Sequence, residues 1–155
     1  MKQNQTVKEQ SLKPTSGKQL TKAVVVEAKL DERILMALDA ASEKKALNSV
    51  VLDLRDIASF TDYFIITSGT NERQVQAISD EVVEKLKKAG SPVTRVEGYK
   101  TAEWILLDYG DFVMHIFRDE ARKFYDLERL WRESKQVELP REVSHGTVSS
   151  LRSES

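Results

Sequence analysis

The sequence predicts an α/β domain built on one mixed five-stranded sheet flanked by helices. Three observations carry this. Trp104-Ile105-Leu106-Leu107 and Phe112-Val113-Met114-His115-Ile116-Phe117 are β-rich runs either side of a short Asp/Gly segment, which is the pattern of an antiparallel hairpin. Asp62-Tyr63-Phe64-Ile65-Ile66-Thr67 is almost continuously apolar, as a strand covered on both faces would be. Two stretches repeat apolar residues at spacings of three and four, the helical period.

In chain order, residues 1–28 are rich in Lys, Gln, Thr and Ser and lack periodicity, so they are expected to form a disordered arm. Ala23-Val24-Val25-Val26 interrupts it, either as a docked edge strand or as an unpaired patch. The folded domain is expected over 29–134. Its first helix covers Asp31 to Ala46, with Asp31 as N-cap and Ile34, Leu35, Leu38 and Ala41 inward. Val50 to Leu54 is a strand, 56–61 a loop, and 62–67 the second strand. Ser68-Gly69-Thr70 ends that strand, and Asn71 with Gln74 resembles a capping box opening a helix to Ala89. Val75, Ile78, Val82, Val83 and Leu86 form its buried stripe, and Gly90-Ser91-Pro92 stops it. Val93 to Val96 is a short strand before the hairpin. Asp119 caps a last helix to Glu133, with Ala121, Phe124, Leu127, Leu130 and Trp131 inward. Residues 135–155 return to Ser, Glu and Arg and are expected to be a disordered tail.

Within the hairpin, a three-residue loop of Asp108, Tyr109 and Gly110 fits, because Gly110 takes positive φ at little cost. Period 2 puts Trp104 and Leu106 on one face and Ile105 and Leu107 on the other. Neither face is plainly polar. The hairpin is therefore either covered on both sides or keeps one face for a partner.

Composition narrows the function. The 155 residues suit one domain, and with no cysteine there are no disulfides, thiolate metal sites or cysteine nucleophiles. No apolar run approaches the roughly 20 residues of a membrane helix. The first arginine is Arg33, and Glu9 and Glu27 precede it, which argues against a transit peptide. Residues 1–29 hold six lysines against two acids. The chain's 24 basic and 25 acidic residues therefore leave 18 against 23 for the remainder, an acidic body suited to a basic partner. The lysine-rich arm could still touch a phosphate surface.

Catalysis finds little support. Ser68-Gly69-Thr70 before a helix could aim backbone N–H groups at a phosphate. Nucleotidyl transfer on such a turn needs paired carboxylates to hold two metal ions. The next strand, Pro92-Val93-Thr94-Arg95-Val96, offers no acid, and Asp53, Asp62, Asp108 and Asp111 stand elsewhere without matching spacing. A Walker loop, a dinucleotide glycine fingerprint and a HExxH motif are all missing. His115 lies on a strand and His145 in the tail, and no nucleophile elbow accompanies either. No enzyme, cofactor or metal site is expected.

Five stretches in order carry a resemblance. They are Ala58-Ser59-Phe60-Thr61-Asp62-Tyr63-Phe64-Ile65-Ile66, Ser68-Gly69-Thr70-Asn71-Glu72-Arg73-Gln74, Glu97-Gly98-Tyr99, the run from Glu103 to Asp111, and the run from Phe124 to Trp131. From Asp31 to Glu133 the chain resembles the ribosomal silencing factor family, also called Iojap-like. The resemblance implies a nucleotidyltransferase-like α/β fold without catalytic carboxylates. It implies binding to a basic protein of the large ribosomal subunit, the fourteenth in the standard naming (uL14 type). Docked there, such a factor blocks joining of the small subunit, lowers translation when nutrients are short and assists late assembly. It also implies a homodimer when free, and it has organellar relatives in mitochondria and chloroplasts; a bacterial cytoplasmic setting is expected ahead of an organelle.

The candidate ribosomal-protein-binding residues are Trp104, Leu106, Asp108, Tyr109 and Asp111. Trp and Tyr are residue types enriched in interface hot spots, and a Trp on a sheet can bury ~200 Å². Core packing remains open for Trp104 and Leu106. Turn chemistry alone accounts for aspartates beside the loop, and pairing with ribosomal Lys or Arg is the alternative. Tyr63, Phe64, Phe124 and Trp131 are expected to pack inward.

Overall fold

A computed structural model of the protein describes residues 30–139. The lysine-rich arm, the Ala23–Val26 patch, His145 and the end of the C-terminal tail lie outside the described residues.

Helix α1 spans Glu32–Glu43. The Asp31 carboxylate caps it, accepting the Arg33 backbone N–H at 2.8 Å. Strands β1 (Leu47–Asp53) and β2 (Tyr63–Gly69) follow. Helix α2, Glu72–Lys88, starts at Asn71, whose side chain accepts the Gln74 N–H at 2.8 Å. Strands β3 (Arg95–Glu97), β4 (Trp104–Asp108) and β5 (Phe112–Arg118) precede two short helices, α3 (Asp119–Tyr125) and α4 (Leu127–Leu130). Strand β6, Lys135–Gln136, completes the set.

These strands form one six-stranded sheet in the order β3-β4-β5-β2-β1-β6. Every neighbouring pair is antiparallel except β2–β5. The parallel pair is made by the crossover through α2, as parallel strands require. The mixed α/β architecture is the expected one, with one strand more than the five read from sequence. Two residues of Lys135–Gln136 are too few to show a period. Pairing with Asp53 and Leu52, a 2.8 Å bond from the Val137 N–H to the Val51 carbonyl, and burial of Val137 make the added strand.

Cross-strand register sorts the side chains into two layers. Val51, Ile65, Met114 and Leu107 align on one face, where α1 and α2 pack together and α2 lies against β2, β4 and β5. Ile34, Leu38, Val75, Ile78, Val82 and Leu86 are buried there. Ser79 joins the buried stripe where Val83 was expected, and Val83 is half-buried. On the opposite face Leu52, Phe64 and Val113 align, as do Val50, Ile66, His115 and Leu106. Leu52, Phe64, Ile66 and Val113 form a second core with Leu54, Phe117, Ala121 and Leu127, against which Val50, Ala58, Trp104, Leu106 and Trp131 are only partly buried. This second layer is covered by seven- and four-residue helices instead of a long pair.

The last helix differs from its expected form. Asp126 adopts φ +50° and splits 119–133 into α3 and α4. The break resets the helical phase. Ala121 and Leu127 remain buried and Trp131 is half-buried, but Phe124 and Leu130 turn outward. Arg122 fastens this segment to the sheet. It is buried, and its Nη1 donates to the Leu47 carbonyl and to Ser68 Oγ at 3.3 and 3.1 Å, while Nη2 donates to Glu128 Oε2 at 2.8 Å. Removing a buried charge from such a network strands its partners. Arg122→Met is expected to lower unfolding free energy by about 2–3 kcal/mol in urea titration; an unchanged midpoint would show that the latch contributes nothing net.

Candidate functional site: an aromatic face on the sheet

The thinly covered face of the sheet carries a chain of ring contacts. Trp104 stacks on Phe117 (centroids 5.0 Å, planes 30° apart) and meets Tyr125 at 4.9 Å. Phe64 makes edge contacts with His115 at 4.4 Å and with Trp131 at 5.6 Å. Phe60 adds to Trp131 at 5.9 Å, and Phe124 to Tyr125 at 5.0 Å. The band thus runs from Phe60 through Trp131, Phe64, His115, Trp104 and Tyr125 to Phe124. Its ends are open: Phe60 is 61% and Phe124 79% exposed. Leu106 lies beside His115 by register and is half-buried. The exposed rings at the two ends are thus joined by buried and half-buried ones, Phe64 and His115 among them.

The hairpin separates the five sequence candidates. Trp104, Leu106 and Asp108 share the open face, as period 2 dictates. Tyr109 does not. It follows Asp108 onto the helix-covered side, is 6% exposed, and stacks on Phe112 with centroids 4.9 Å apart. Burial pushes its hydroxyl up to about 12, and that oxygen has no hydrogen-bond partner among the described residues. Tyr109 is therefore a core residue beneath the turn and presents no ring to a partner. The strands are separated by Tyr109–Asp111, one residue later than the expected loop, with Gly110 at φ +85°. Asp108 accepts the Gly110 N–H at 2.9 Å and lies 3.5 Å from Arg95. Asp111 is 70% exposed and pairs with Arg33 of α1 at 2.8 Å. Asp108 thus serves the turn and Arg95, and Asp111 serves Arg33.

His115 is the residue that sequence reasoning passes over. It is 4% exposed, and its Nδ1 accepts the Trp104 indole N–H at 3.0 Å. Burial lowers the imidazole to about 4. The unfolded chain takes up this proton near pH 6.5, so the stabilisation is complete above 6.5 and is lost as pH falls toward 4. At pH 5 the loss is expected to be about 2 kcal/mol. Urea midpoints at pH 7.5 and 5.0 should therefore diverge more in the unmodified chain than in His115→Asn; equal divergence would contradict this.

At the strand–turn–helix junction, the position a phosphate would take is filled from within. Gln74 Oε1 accepts the Thr70 backbone N–H at 2.7 Å and the Thr70 hydroxyl at 3.0 Å, and Gln74 Nε2 donates to the Lys44 and Lys45 carbonyls, each at 3.0 Å. Among the described residues, no three His, Asp or Glu side chains stand close enough to hold a metal ion. No described helix is long and apolar enough to cross a membrane.

The family model for "ribosomal silencing factor during starvation" matches residues 27–154. The chain belongs to the ribosomal silencing factor family. The match reaches beyond the Asp31–Glu133 span on which the sequence resemblance rests. The chain is 39% identical over 113 residues to the ribosomal silencing factor RsfS of Halalkalibacterium halodurans, covering 73% of this chain and 97% of that one. It is 33% identical over 107 residues to mouse mitochondrial assembly of ribosomal large subunit protein 1, covering 67% of this chain and 46% of the mouse protein. A crystal structure of a Chromobacterium violaceum protein superposes with a TM-score of 0.64 at 33% identity, covering 70% of this chain and 88% of that one.

Proposed function

We propose that this chain binds the large ribosomal subunit through its aromatic sheet face and, by its bulk, keeps the small subunit from joining, so that translation falls. The partner is a basic protein of the subunit interface, the fourteenth of the large subunit. The observation that carries the reading is the band centred on Trp104, set on a body with more acids than bases. Trp104 and Leu106 supply apolar contact. Phe60, Trp131, Tyr125 and Phe124 widen the patch beyond what the hairpin alone offers. Asp108 and Asp111 exchange Arg95 and Arg33 for a ribosomal Lys or Arg; swapping one exposed ion pair for another costs little. Tyr109 supports the turn from below.

The same reading includes assistance to late assembly of the large subunit, in keeping with the name of the mouse relative. It places the chain in the bacterial cytoplasm, as a homodimer when free, with the six lysines of residues 1–29 touching ribosomal RNA. It is a regulatory, non-enzymatic reading. The competing nucleotide-handling reading has to displace Gln74 from the Gly69 turn before a phosphate could enter. Sucrose-gradient sedimentation of purified subunits with and without the protein tests the proposal. Co-migration with the large subunit and loss of the joined particle are the expected results. Normal joining without co-migration would sink it.

A further inference from the structure

We propose that His115 is a positioning residue, whose Nδ1 holds the Trp104 indole by its N–H in the orientation in which the partner receives it; this rests on the binding reading above.

The hydrogen bond crosses the β4–β5 pair diagonally. Trp104 is paired with Phe117 and Leu106 with His115, so the two rings are diagonal neighbours on one face, within reach of aromatic side chains. They differ in freedom. His115 is enclosed, edge-on to Phe64 at 4.4 Å, whereas Trp104 is half-buried at the margin of the covered region. The fixed ring therefore holds the freer one. Because Nδ1 accepts, a neutral imidazole carries its proton on Nε2, and Nε2 is buried with no hydrogen-bond partner among the described residues. An unpaired buried donor is unfavourable. Packing alone would be served better by an apolar residue of similar size, so what a histidine adds here is the acceptor at Nδ1.

Two consequences follow. The ordering of Trp104 is met in folding, so less rotamer freedom is lost on binding. The indole's single donor is already used, so Trp104 offers a partner only carbon and its π-face. The ribosomal side chain opposite it is accordingly an aliphatic stem, a proline or the flat of an arginine, and not a hydrogen-bond acceptor.

The chain has two tryptophans, so its indole ¹H–¹⁵N resonances are assigned with Trp131→Phe. In the full chain the Trp104 indole N–H is expected to exchange with solvent at least ~10-fold more slowly than a free indole. His115→Leu should move that resonance toward the free-indole position and weaken co-sedimentation with large subunits ~10-fold, with the fold intact by circular dichroism. His115→Asn, whose Oδ1 supplies an acceptor near Nδ1, should recover most of both. In a Trp104→Phe background, where there is no N–H to hold, His115→Leu should change affinity no further. Fast indole exchange in the unmodified chain overturns the proposal without recourse to any variant. So does a loss of affinity on His115→Leu that is as large in the Trp104→Phe background as in the unmodified chain. If the unmodified protein fails to bind large subunits, the binding reading falls, while the indole resonances still decide whether His115 holds Trp104.

Discussion

Trp104→Ala is expected to weaken binding to the large ribosomal subunit by at least ~30-fold, about 2 kcal/mol, the range of a tryptophan hot spot. The side chain is the hub of the aromatic band, touching Phe117, Tyr125 and His115. It is half-buried, so truncation also costs stability, about 1–3 kcal/mol for the packing lost. The two effects separate by measurement. Co-sedimentation with large subunits reads the first, and a urea titration with circular dichroism reads the second. A variant that unfolds at lower urea yet binds normally would show that Trp104 is a core residue and that the contact surface lies elsewhere.

Gly98→Ala should be the most damaging methyl addition among the glycines of the described residues. Gly98 sits at φ +81°, and a Cβ there would run into the Trp104 carbonyl oxygen. Backbone is the obstacle, so no side-chain rotation relieves it. The Gly98 carbonyl also accepts the Ala102 N–H at 2.9 Å, closing the loop from β3 into β4. Either the loop opens or the start of β4 shifts, and both move Trp104. A loss of about 2–4 kcal/mol in unfolding free energy is expected, together with weakened ribosome binding. Gly110→Ala is the control. It has a similar φ of +85°, but nothing lies within 4 Å of its added Cβ. It should cost only the conformational penalty, about 1 kcal/mol. Equal urea midpoints for the two variants would show that the Trp104 carbonyl is not the constraint.

Local signals in the sequence are sufficient wherever a local cause acts. Asp31 and Asn71 cap the helices expected of them because an N-cap needs only a short polar side chain and the next turn's N–H groups. Gly110 takes the positive φ that a tight hairpin demands. Period 2 puts Trp104 and Leu106 together, and the same alternation sends Tyr109 to the far side of the sheet. Spacing alone therefore places Tyr109 in the core, whereas its residue type, common at interfaces, points the other way. The outward Phe124 and Leu130 are not legible, since a continuous helix would bury both and the break at Asp126 is a strained conformation of a non-glycine residue. His115 reads from sequence as a packed strand histidine. Nothing within its strand marks the indole that reaches it from β4.

Apart from β6 and the break at Asp126, the kinds of element, their order, the α/β class and the family are legible along the chain, because each follows from residue periodicity, capping chemistry and motif spacing. Which face of the sheet is left open is settled by packing in three dimensions. Both faces of β2 and β5 read as apolar, and the choice depends on where α1 and α2 pack after the crossover. With those helices on the Ile65 side, the Phe64 side receives only the short α3 and α4, and rings from widely separated segments meet there. A contact between residues distant in sequence has no periodic trace in either segment, and that is why the hairpin was readable while the surface around it was not.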